Sequence, residues 1–423
     1  MKLFSLRLTT LKSKLYAIVF VSLIVRVVAF FALPNSASTL GPDEGEYANL
    51  VGWVAQGKAV SEYPTFGPNL FNSARSVILP SSLFYRTGLN SLDSIRLTAS
   101  VYSFLTTILV LVMILKLSKE KGNASFFIQK HQTMISYLFL TFVFLPSRYT
   151  WSILGLRESS AEFWTMLVFG VIFASNSLKM KASFKLTVIF FVANIMVYSS
   201  RPQVGLVLST ALVIYFLATI KKRSSMLFMA VAIVAMVLSA ATTATITTTA
   251  TTATTATNPI KLLNNQSEIL FAHHKANQVD AESIIVTPGC PFMTETSYND
   301  LLCLVWRTPQ TTFTFLFRPL FGADVTSLPS LFAAAENIFW LGSLLFITVI
   351  LVWVRRLPFF ALMAPSLIFA FIYSTTAAAY EGNMGTAFRH KSLILWVVIL
   401  LLASTIVATQ QRRAEQQGIS GSS

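Results

Sequence analysis

The chain has few charged residues for its length. Asp, Glu, Lys and Arg together make up 12% of the 423 residues, whereas 54% are hydrophobic and the mean hydropathy is +0.65. An average soluble domain carries about twice that fraction of charge. The composition therefore excludes an ordinary soluble enzyme and predicts an integral membrane protein.

Cysteine and histidine are also scarce, with two Cys and four His. This excludes a disulfide-rich scaffold, and no zinc-ligand spacing occurs. Cys290 and Cys303 fall in one predicted outward loop, where a disulfide is expected and two free thiols are the alternative. Although the net charge is +15, no basic block lies in a sizeable soluble segment, so nucleic acid is excluded as a partner.

Apolar runs of the length needed to cross a bilayer occupy most of the chain. We predict ten membrane-spanning helices, near residues 15–33, 97–115, 132–147, 161–178, 186–200, 203–220, 226–243, 333–354, 357–377 and 392–410. The predicted fold class is thus all-α: a polytopic membrane protein of about ten transmembrane helices, with amphipathic helices in its outward loops.

Basic residues determine the predicted orientation in the cell membrane. MKLFSLRLTTLKSK precedes the first run, and basic segments such as KLSKEK follow even-numbered runs, so both termini are expected in the cytoplasm. We treat residues 1–423 as a single membrane domain with two large outward loops, 34–96 and 244–332. Only Glu120 and Glu415 of the 17 acidic residues then lie inside, so the chemistry is expected to face outward.

The first outward loop opens with an acidic motif, GPDEGEYANLVGWVAQG, at residues 41–57. Asp43, Glu44 and Glu46 place three carboxylates within four positions of a chain that is poor in acids. One interpretation is that they favour the first turn of a helix on the membrane surface. The other is that Asp43 or Glu44 accepts a proton from a hydroxyl nucleophile. Both can hold at once.

Arginine is concentrated at the predicted outward membrane edge. The patches LRESS, SSRPQVG, FRPLFGAD and TAFRHKS contain Arg157, Arg201, Arg318 and Arg389. An arginine at such depth costs about 2.5–3.5 kcal/mol on insertion scales, and its planar fork suits phosphate. We expect these arginines to converge on a lipid phosphate; pairing with carboxylates such as Glu158, or snorkelling to the interface, is the alternative.

These residues carry a resemblance. A first apolar run holding Arg26, followed by PDEGEYANLVGWVAQGK, resembles the GT-C superfamily of polyprenyl-phosphate-dependent glycosyltransferases, which includes aminoarabinose and protein-mannosyl transferases. The arginine patches are also similar to those of O-antigen-type polysaccharide polymerases. The resemblance implies that Asp43 and Glu44 are the catalytic acidic pair and that Tyr47 is the aromatic residue that follows it. The implied substrate-binding residues are Tyr47, Arg157, Glu158, Arg201, Arg318 and Arg389. Many members of the superfamily have Arg before that tyrosine, whereas this chain has Glu46.

The function implied is transfer of a sugar from a polyprenyl-phosphate donor to a glycan, lipid or protein acceptor on the extracytoplasmic face, with inversion at the anomeric carbon. No Gly-rich phosphate loop for a nucleotide sugar is present. No cofactor is expected, although a divalent metal held by the three carboxylates of the motif is an alternative. Two further functions remain open: a polymerase of lipid-linked oligosaccharides and, less favoured because no internal repeat is evident, a glycolipid transporter.

Overall fold

The computed structural model describes residues 10–34, 36, 43–64, 67–119, 129–177, 184–219, 298–322, 324–325, 327–354, 360–380 and 384–416. Within these ranges every regular element is helical, which confirms the all-α class for the described part. In chain order the α-helices are α1 (Leu11–Ala32), α2 (Asp43–Ala55), α3 (Gly67–Arg86), α4 (Ser91–Lys119), α5 (Gln129–Phe144), α6 (Pro146–Ile153), α7 (Glu158–Ser177), α8 (Phe184–Ser200), α9 (Pro202–Ala218), α10 (Tyr298–Phe317), α11 (Leu328–Val354), α12 (Phe360–Tyr380) and α13 (Met384–Gln416).

Nine of the ten predicted apolar runs coincide with helices of the structure, and the run at 226–243 lies outside the described residues. Within the described ranges, four helical stretches are long and apolar enough to cross a membrane: Leu11–Ala32, Ser91–Leu117, Ser330–Val349 and Gly385–Thr409. Helices α5, α8, α9 and α12 contain shorter apolar stretches. A membrane protein is therefore supported, while the count of ten spans and the cytoplasmic termini stay predictions.

Helix α13 forms the centre of the described bundle. It packs against α4, α5, α7, α11 and α12, and almost all of its apolar stretch is buried. Its Trp396 is fully buried, with its ring centroid 5.2 Å from that of Phe169 on α7. Helix α1 is peripheral and exposes Phe20, Val28 and Phe31. Large apolar side chains on an outer helix are what contact with lipid requires.

The first outward loop, predicted at 34–96, contains two helices and a short 3₁₀ turn at Val60–Glu62. Helix α2 buries Tyr47, Leu50 and Val51, which lie at the spacing of one helical face, against α3 and α4. Gly57 ends this helix with a φ of 74°, a conformation that a residue with a Cβ adopts only with strain. The sequence did not predict α3, which is a second helix of this loop.

Helix α3 is kinked, and other helices bond to the backbone carbonyls that its kinks release. At Ala74 the backbone is non-helical, and the neighbouring Ser73 carbonyl accepts a hydrogen bond from Arg157. Pro80 has no N–H, so the carbonyl of Ser76 loses its helical partner. The hydroxyl of Tyr102 on α4 donates to that carbonyl at 2.9 Å. These contacts fix α3 beside α4 and the start of α7.

The second outward loop, predicted at 244–332, falls largely outside the described residues, which resume with α10 at Tyr298. Cys290 lies outside them, as does the side chain of Cys303, so the disulfide stays a prediction. Helix α10 packs against α11, α12 and α13 and ends next to Arg318.

Candidate active site

Three arginines and two carboxylates from four parts of the chain form one cluster, which we call the outer arginine cluster: Asp43, Arg157, Glu158, Arg201 and Arg389. Glu158 is at its centre, with Oε1 at 3.1 Å from Arg201 Nη2 and 3.2 Å from Arg389 Nε. Arg389 also reaches Asp43, with Nη1 at 3.3 Å from Oδ2. The five side chains carry three positive and two negative charges, a net charge of +1.

Burial and electrostatics act in opposite directions on Glu158. Its side chain is 3% exposed, and this burial by itself would raise the pKa of the carboxyl. The charges of Arg389, Arg201 and Arg157 outweigh burial and lower the pKa of Glu158 to about 2. Glu158 is therefore ionised at neutral pH and holds guanidinium groups that would otherwise repel one another.

Local sequence explains where these groups lie. Glu158 is the first residue of α7, where a carboxylate is favoured by the helix dipole. Arg201 separates α8 from α9 as the N-cap residue of α9, with Pro202 in the first turn. Both residues therefore lie at helix ends, which places their side chains at one end of the bundle.

A triangle of buried hydroxyls fixes these helix ends relative to one another. The oxygens of Ser76 on α3, Ser160 on α7 and Ser200 on α8 lie 2.7–3.1 Å apart. Ser160 follows Glu158 by two residues, and Ser200 directly precedes Arg201. The triangle therefore fixes the distance between Glu158 and Arg201, which form an ion pair.

Asp43 and Glu44 are adjacent in sequence but have different environments. The side chain of Asp43 is 45% exposed, whereas Glu44 is fully buried. Arg96 Nε donates to Glu44 Oε1 at 2.8 Å, and Arg96 Nη2 donates to Oε2 at 3.0 Å. The backbone N–H of Gly155 donates to the same Oε1 at 2.9 Å. Glu44 thus anchors α2 to α4 and to the segment before α7.

Tyr47 lies beneath Arg157. The tyrosine is 2% exposed, and the guanidinium carbon of Arg157 is 6.0 Å from the centre of its ring. Burial raises the pKa of the Tyr47 hydroxyl, which keeps it protonated at neutral pH. Arg157 also donates to the Ser73 carbonyl at 3.2 Å, so the ring and the kink in α3 hold it from two sides.

Arg318 forms its ion pair with Asp324 rather than with Glu158. The Arg318 guanidinium donates to both carboxylate oxygens of Asp324, and the Leu320 N–H donates to Oδ2 at 2.8 Å. The hydrogen bonds from Arg318 lower the pKa of the Asp324 carboxyl. The structure therefore brings Arg157, Arg201 and Arg389 together around Glu158 and gives Arg318 a separate partner.

The third carboxylate of the acidic motif points elsewhere. Glu46 accepts a hydrogen bond from the Tyr63 hydroxyl at 3.3 Å, whereas Asp43 pairs with Arg389 and Glu44 with Arg96. The three carboxylates have three separate partners. Whether Asp43, Glu44 and Glu46 bind a divalent metal stays an open prediction.

Sequence reasoning did not single out three residues that shape this site. Arg96 pairs with Glu44, Gly155 supplies the N–H described above, and His390 Nε2 lies 3.8 Å from Glu158 Oε1. A Cβ on Gly155 would lie 2.3 Å from the Ile95 side chain, so any larger residue would force Ile95 to move. Two of these residues could have been identified from the sequence, because His390 directly follows Arg389 and Arg96 ends the predicted loop.

No family model matches this chain, and no curated protein sequence matches it. Among solved structures, it is similar to the crystal structure of ArnT from Cupriavidus metallidurans in the apo state, at 13% sequence identity and a TM-score of 0.40. The match covers 95% of this chain and 79% of that chain. A likeness this loose does not establish a shared fold.

Proposed function

We propose that this protein is a membrane glycosyltransferase that moves a sugar from a polyprenyl-phosphate donor to an acceptor at the extracytoplasmic face of the cell membrane. One observation supports this most directly: a half-exposed carboxylate, Asp43, is paired with Arg389 in the outer arginine cluster, which has a net charge of +1 with Asp43 included. An acid that reaches solvent beside an anion-binding group is the combination that sugar transfer from a phosphate requires.

Asp43 is the better candidate for the base. Each oxygen of Glu44 already accepts hydrogen bonds, and the group is sealed from solvent. Asp43 is half exposed, and its ion pair with Arg389 is made through Oδ2, so the carboxylate can approach an acceptor hydroxyl. Glu44 then has a positioning role, because it holds the helix on which Asp43 lies.

The reaction is a single displacement. Asp43 accepts the proton of the acceptor hydroxyl as its oxygen attacks the anomeric carbon of the donor. The bond from that carbon to the phosphate oxygen breaks, and its electron pair leaves with the phosphate. Arg157, Arg201 and Arg389 stabilise the charge on the departing phosphate, and attack from the opposite face inverts the anomeric centre.

The remaining predicted contacts have supporting roles. Glu158 keeps Arg201 and Arg389 together, and Tyr47 supports Arg157 from below. Arg318, which pairs with Asp324, is a further contact for the lipid phosphate at the end of α10. The acceptor is a glycan, lipid or protein hydroxyl, and both termini are cytoplasmic.

Transfer by purified protein in liposomes tests the proposal. A panel of radiolabelled polyprenyl-phosphate pentoses and hexoses is supplied, and incorporation into product is measured. Asp43→Asn is expected to lower the rate by about 10²–10⁴-fold, the usual contribution of a general base. Glu46→Gln, in the same motif, is the matched control and is expected to keep its activity. Full activity of Asp43→Asn would remove the base from the mechanism, and lengthening chains in the product would indicate a polymerase instead.

A further inference from the structure

A second cluster of buried arginines lies one helical turn from the first. We call it the inner arginine cluster: Arg26 on α1, Arg148 on α6 and Glu162 on α7, joined by Ser103 and Thr107 on α4. Glu162 follows Glu158 by four residues on the same face of α7, about 6 Å along the helix. The outer cluster does not use any of these side chains.

Both arginines are held by the same serine. Arg148 donates from Nε to Glu162 at 2.9 Å and from Nη2 to the Ser103 carbonyl at 2.9 Å and to Thr107 at 3.2 Å. Arg26 Nη2 donates to the Ser103 hydroxyl at 3.2 Å. Two like charges therefore lie on either side of Ser103, and the carboxylate of Glu162, which pairs with Arg148, leaves a net charge of +1.

The hydrogen bonding of the two guanidiniums is incomplete. Arg26 Nη1 bonds to the carbonyl and hydroxyl of Ser22, but Arg26 Nε has no hydrogen-bond partner among the described residues. Arg148 Nη1 likewise has no hydrogen-bond partner among the described residues. Both side chains are almost fully buried, at 3% and 2% exposure. A buried positive charge with an unused donor is costly. A bound anion would both neutralise the charge and accept the hydrogen bond.

The surroundings indicate how such an anion would arrive. Arg26 is carried by α1, the helix whose outer face is the most exposed of the four long apolar helices. Tyr149 of α6 lies beside it, with its hydroxyl donating to the Val25 carbonyl at 3.3 Å and its ring 5.8 Å from the Arg26 guanidinium. Tyr149 therefore lies over Arg26 where α1 meets α6, and we expect an anion to reach Arg26 from the lipid side by displacing this ring.

We propose that the inner arginine cluster is a second anion site, distinct from the catalytic one, which binds a single phosphate group between α1 and α6. The phosphate is either that of an acidic lipid headgroup or free inorganic phosphate. The net charge of +1 suits a phosphodiester, which carries one negative charge. Because the site shares no residue with the outer cluster, the proposal stands whether or not the protein transfers sugars.

Thermal unfolding of the full chain tests this, because a ligand that binds only the folded state raises Tm. One arm compares nanodiscs of phosphatidylcholine with and without phosphatidylglycerol. The other adds inorganic phosphate to protein in a neutral detergent, against chloride at equal ionic strength. A rise in the first arm alone identifies a lipid headgroup, and a rise in both shows that a free phosphate suffices. Failure of both to raise Tm would overturn the proposal.

Variants assign the effect to the site. Arg26→Gln is expected to lose most of the rise in Tm, whereas Arg26→Lys, which keeps the charge, retains it. Glu162→Gln changes the net charge of the inner arginine cluster from +1 to +2. The rise in Tm on adding phosphate is therefore expected to be larger in this variant than in the native protein, even though the variant starts from a lower Tm. A purely structural ion pair would not give that gain.

Arg389→Gln serves as the control for the outer cluster. This variant is expected to keep the rise in Tm with phosphate but to lose sugar transfer. The anion site and the glycosyltransferase function can therefore be refuted independently of each other. Equal rises for the native protein and Arg26→Gln, or no gain for Glu162→Gln, would contradict an anion site. If Arg26→Gln does not fold, Arg26→Lys and Glu162→Gln still decide the outcome.

Discussion

Replacing Glu44 with Gln is expected to destabilise the protein, in contrast to the replacement of its neighbour Asp43. In the native structure both Glu44 and Arg96 have fully buried side chains, and two charge-assisted hydrogen bonds join them. The glutamine keeps one acceptor oxygen but turns an NH₂ group toward a guanidinium that can only donate. Arg96 then retains the carbonyls of Pro34 and Ser36, at 2.7 and 2.9 Å, and one neutral amide oxygen in place of the carboxylate.

The magnitude follows from the burial of this pair. Removing one partner of a buried ion pair costs about 3–5 kcal/mol, because the remaining charge is left without compensation. Glutamine can still accept from the Gly155 N–H, so the lower end of that range, about 3 kcal/mol, is expected. Asp43 is half exposed, and an ion pair of that kind contributes about 0–1 kcal/mol.

Unfolding in mixed micelles with increasing SDS, followed by tryptophan fluorescence, measures this difference. Glu46→Gln is the matched control, since it removes a carboxylate of the same motif whose hydrogen bond to Tyr63 is solvent-exposed. Asp43→Asn and Glu46→Gln should unfold like the native protein, and Glu44→Gln should unfold much earlier. If Glu44→Gln were as stable as the native protein but inactive, the division of roles between the two carboxylates would be reversed.

Three further predictions concern the frame of the site. Gly155→Ala places a Cβ 2.3 Å from Ile95, so overpacking should cost about 1–3 kcal/mol in the same unfolding assay, whereas the exposed Gly57→Asn, which tolerates positive φ, should cost little. Tyr102→Phe leaves the buried Ser76 carbonyl without its donor, and a loss of about 1–3 kcal/mol is expected; a loss below 0.5 kcal/mol would show that another group takes over. The pKa of Glu158 is lowered to about 2 from its usual value of about 4.5, so its stabilising contribution is fully present above pH 4.5 and is lost as the pH falls toward 2. Acid unfolding of Glu158→Gln should therefore lack that part of the pH dependence, and identical acid profiles would contradict the ion pair.

Most of the long apolar helices could be predicted from the sequence, and three other helices could not. A run of 20 apolar residues has few alternatives to a helix in a bilayer, so α1, α4, α11 and α13 follow from composition. Helices α3, α6 and α10 each contain a proline, and their apolar residues are interrupted by polar ones. Their stability comes from contacts such as that of Tyr102 with α3, and such contacts are tertiary.

The candidate site shows the same division. The sequence predicts that Arg157, Arg201 and Arg389 lie at one membrane edge, and the structure brings them together around Glu158. The sequence does not reveal which of the two adjacent carboxylates, Asp43 or Glu44, is buried. Asp43 and Glu44 point about 100° apart around α2, so one faces Arg389 and the other Arg96. That choice depends on how α2 packs against α4, which local sequence does not encode.

Helix α7 connects the two arginine clusters, and this explains how cations so far apart in sequence come to lie together. Glu158 forms ion pairs with Arg201 and Arg389. Glu162, one turn further along α7, forms an ion pair with Arg148. In apolar surroundings an arginine without a carboxylate is costly, so each pair constrains the helices that carry its members. Because both carboxylates lie on one face of one helix, rotating α7 by a single residue would turn both away by about 100°. The two clusters therefore depend on one another for their geometry even though they share no residue, and a ligand that orders the inner cluster would also hold α7 in the rotation that the outer cluster requires.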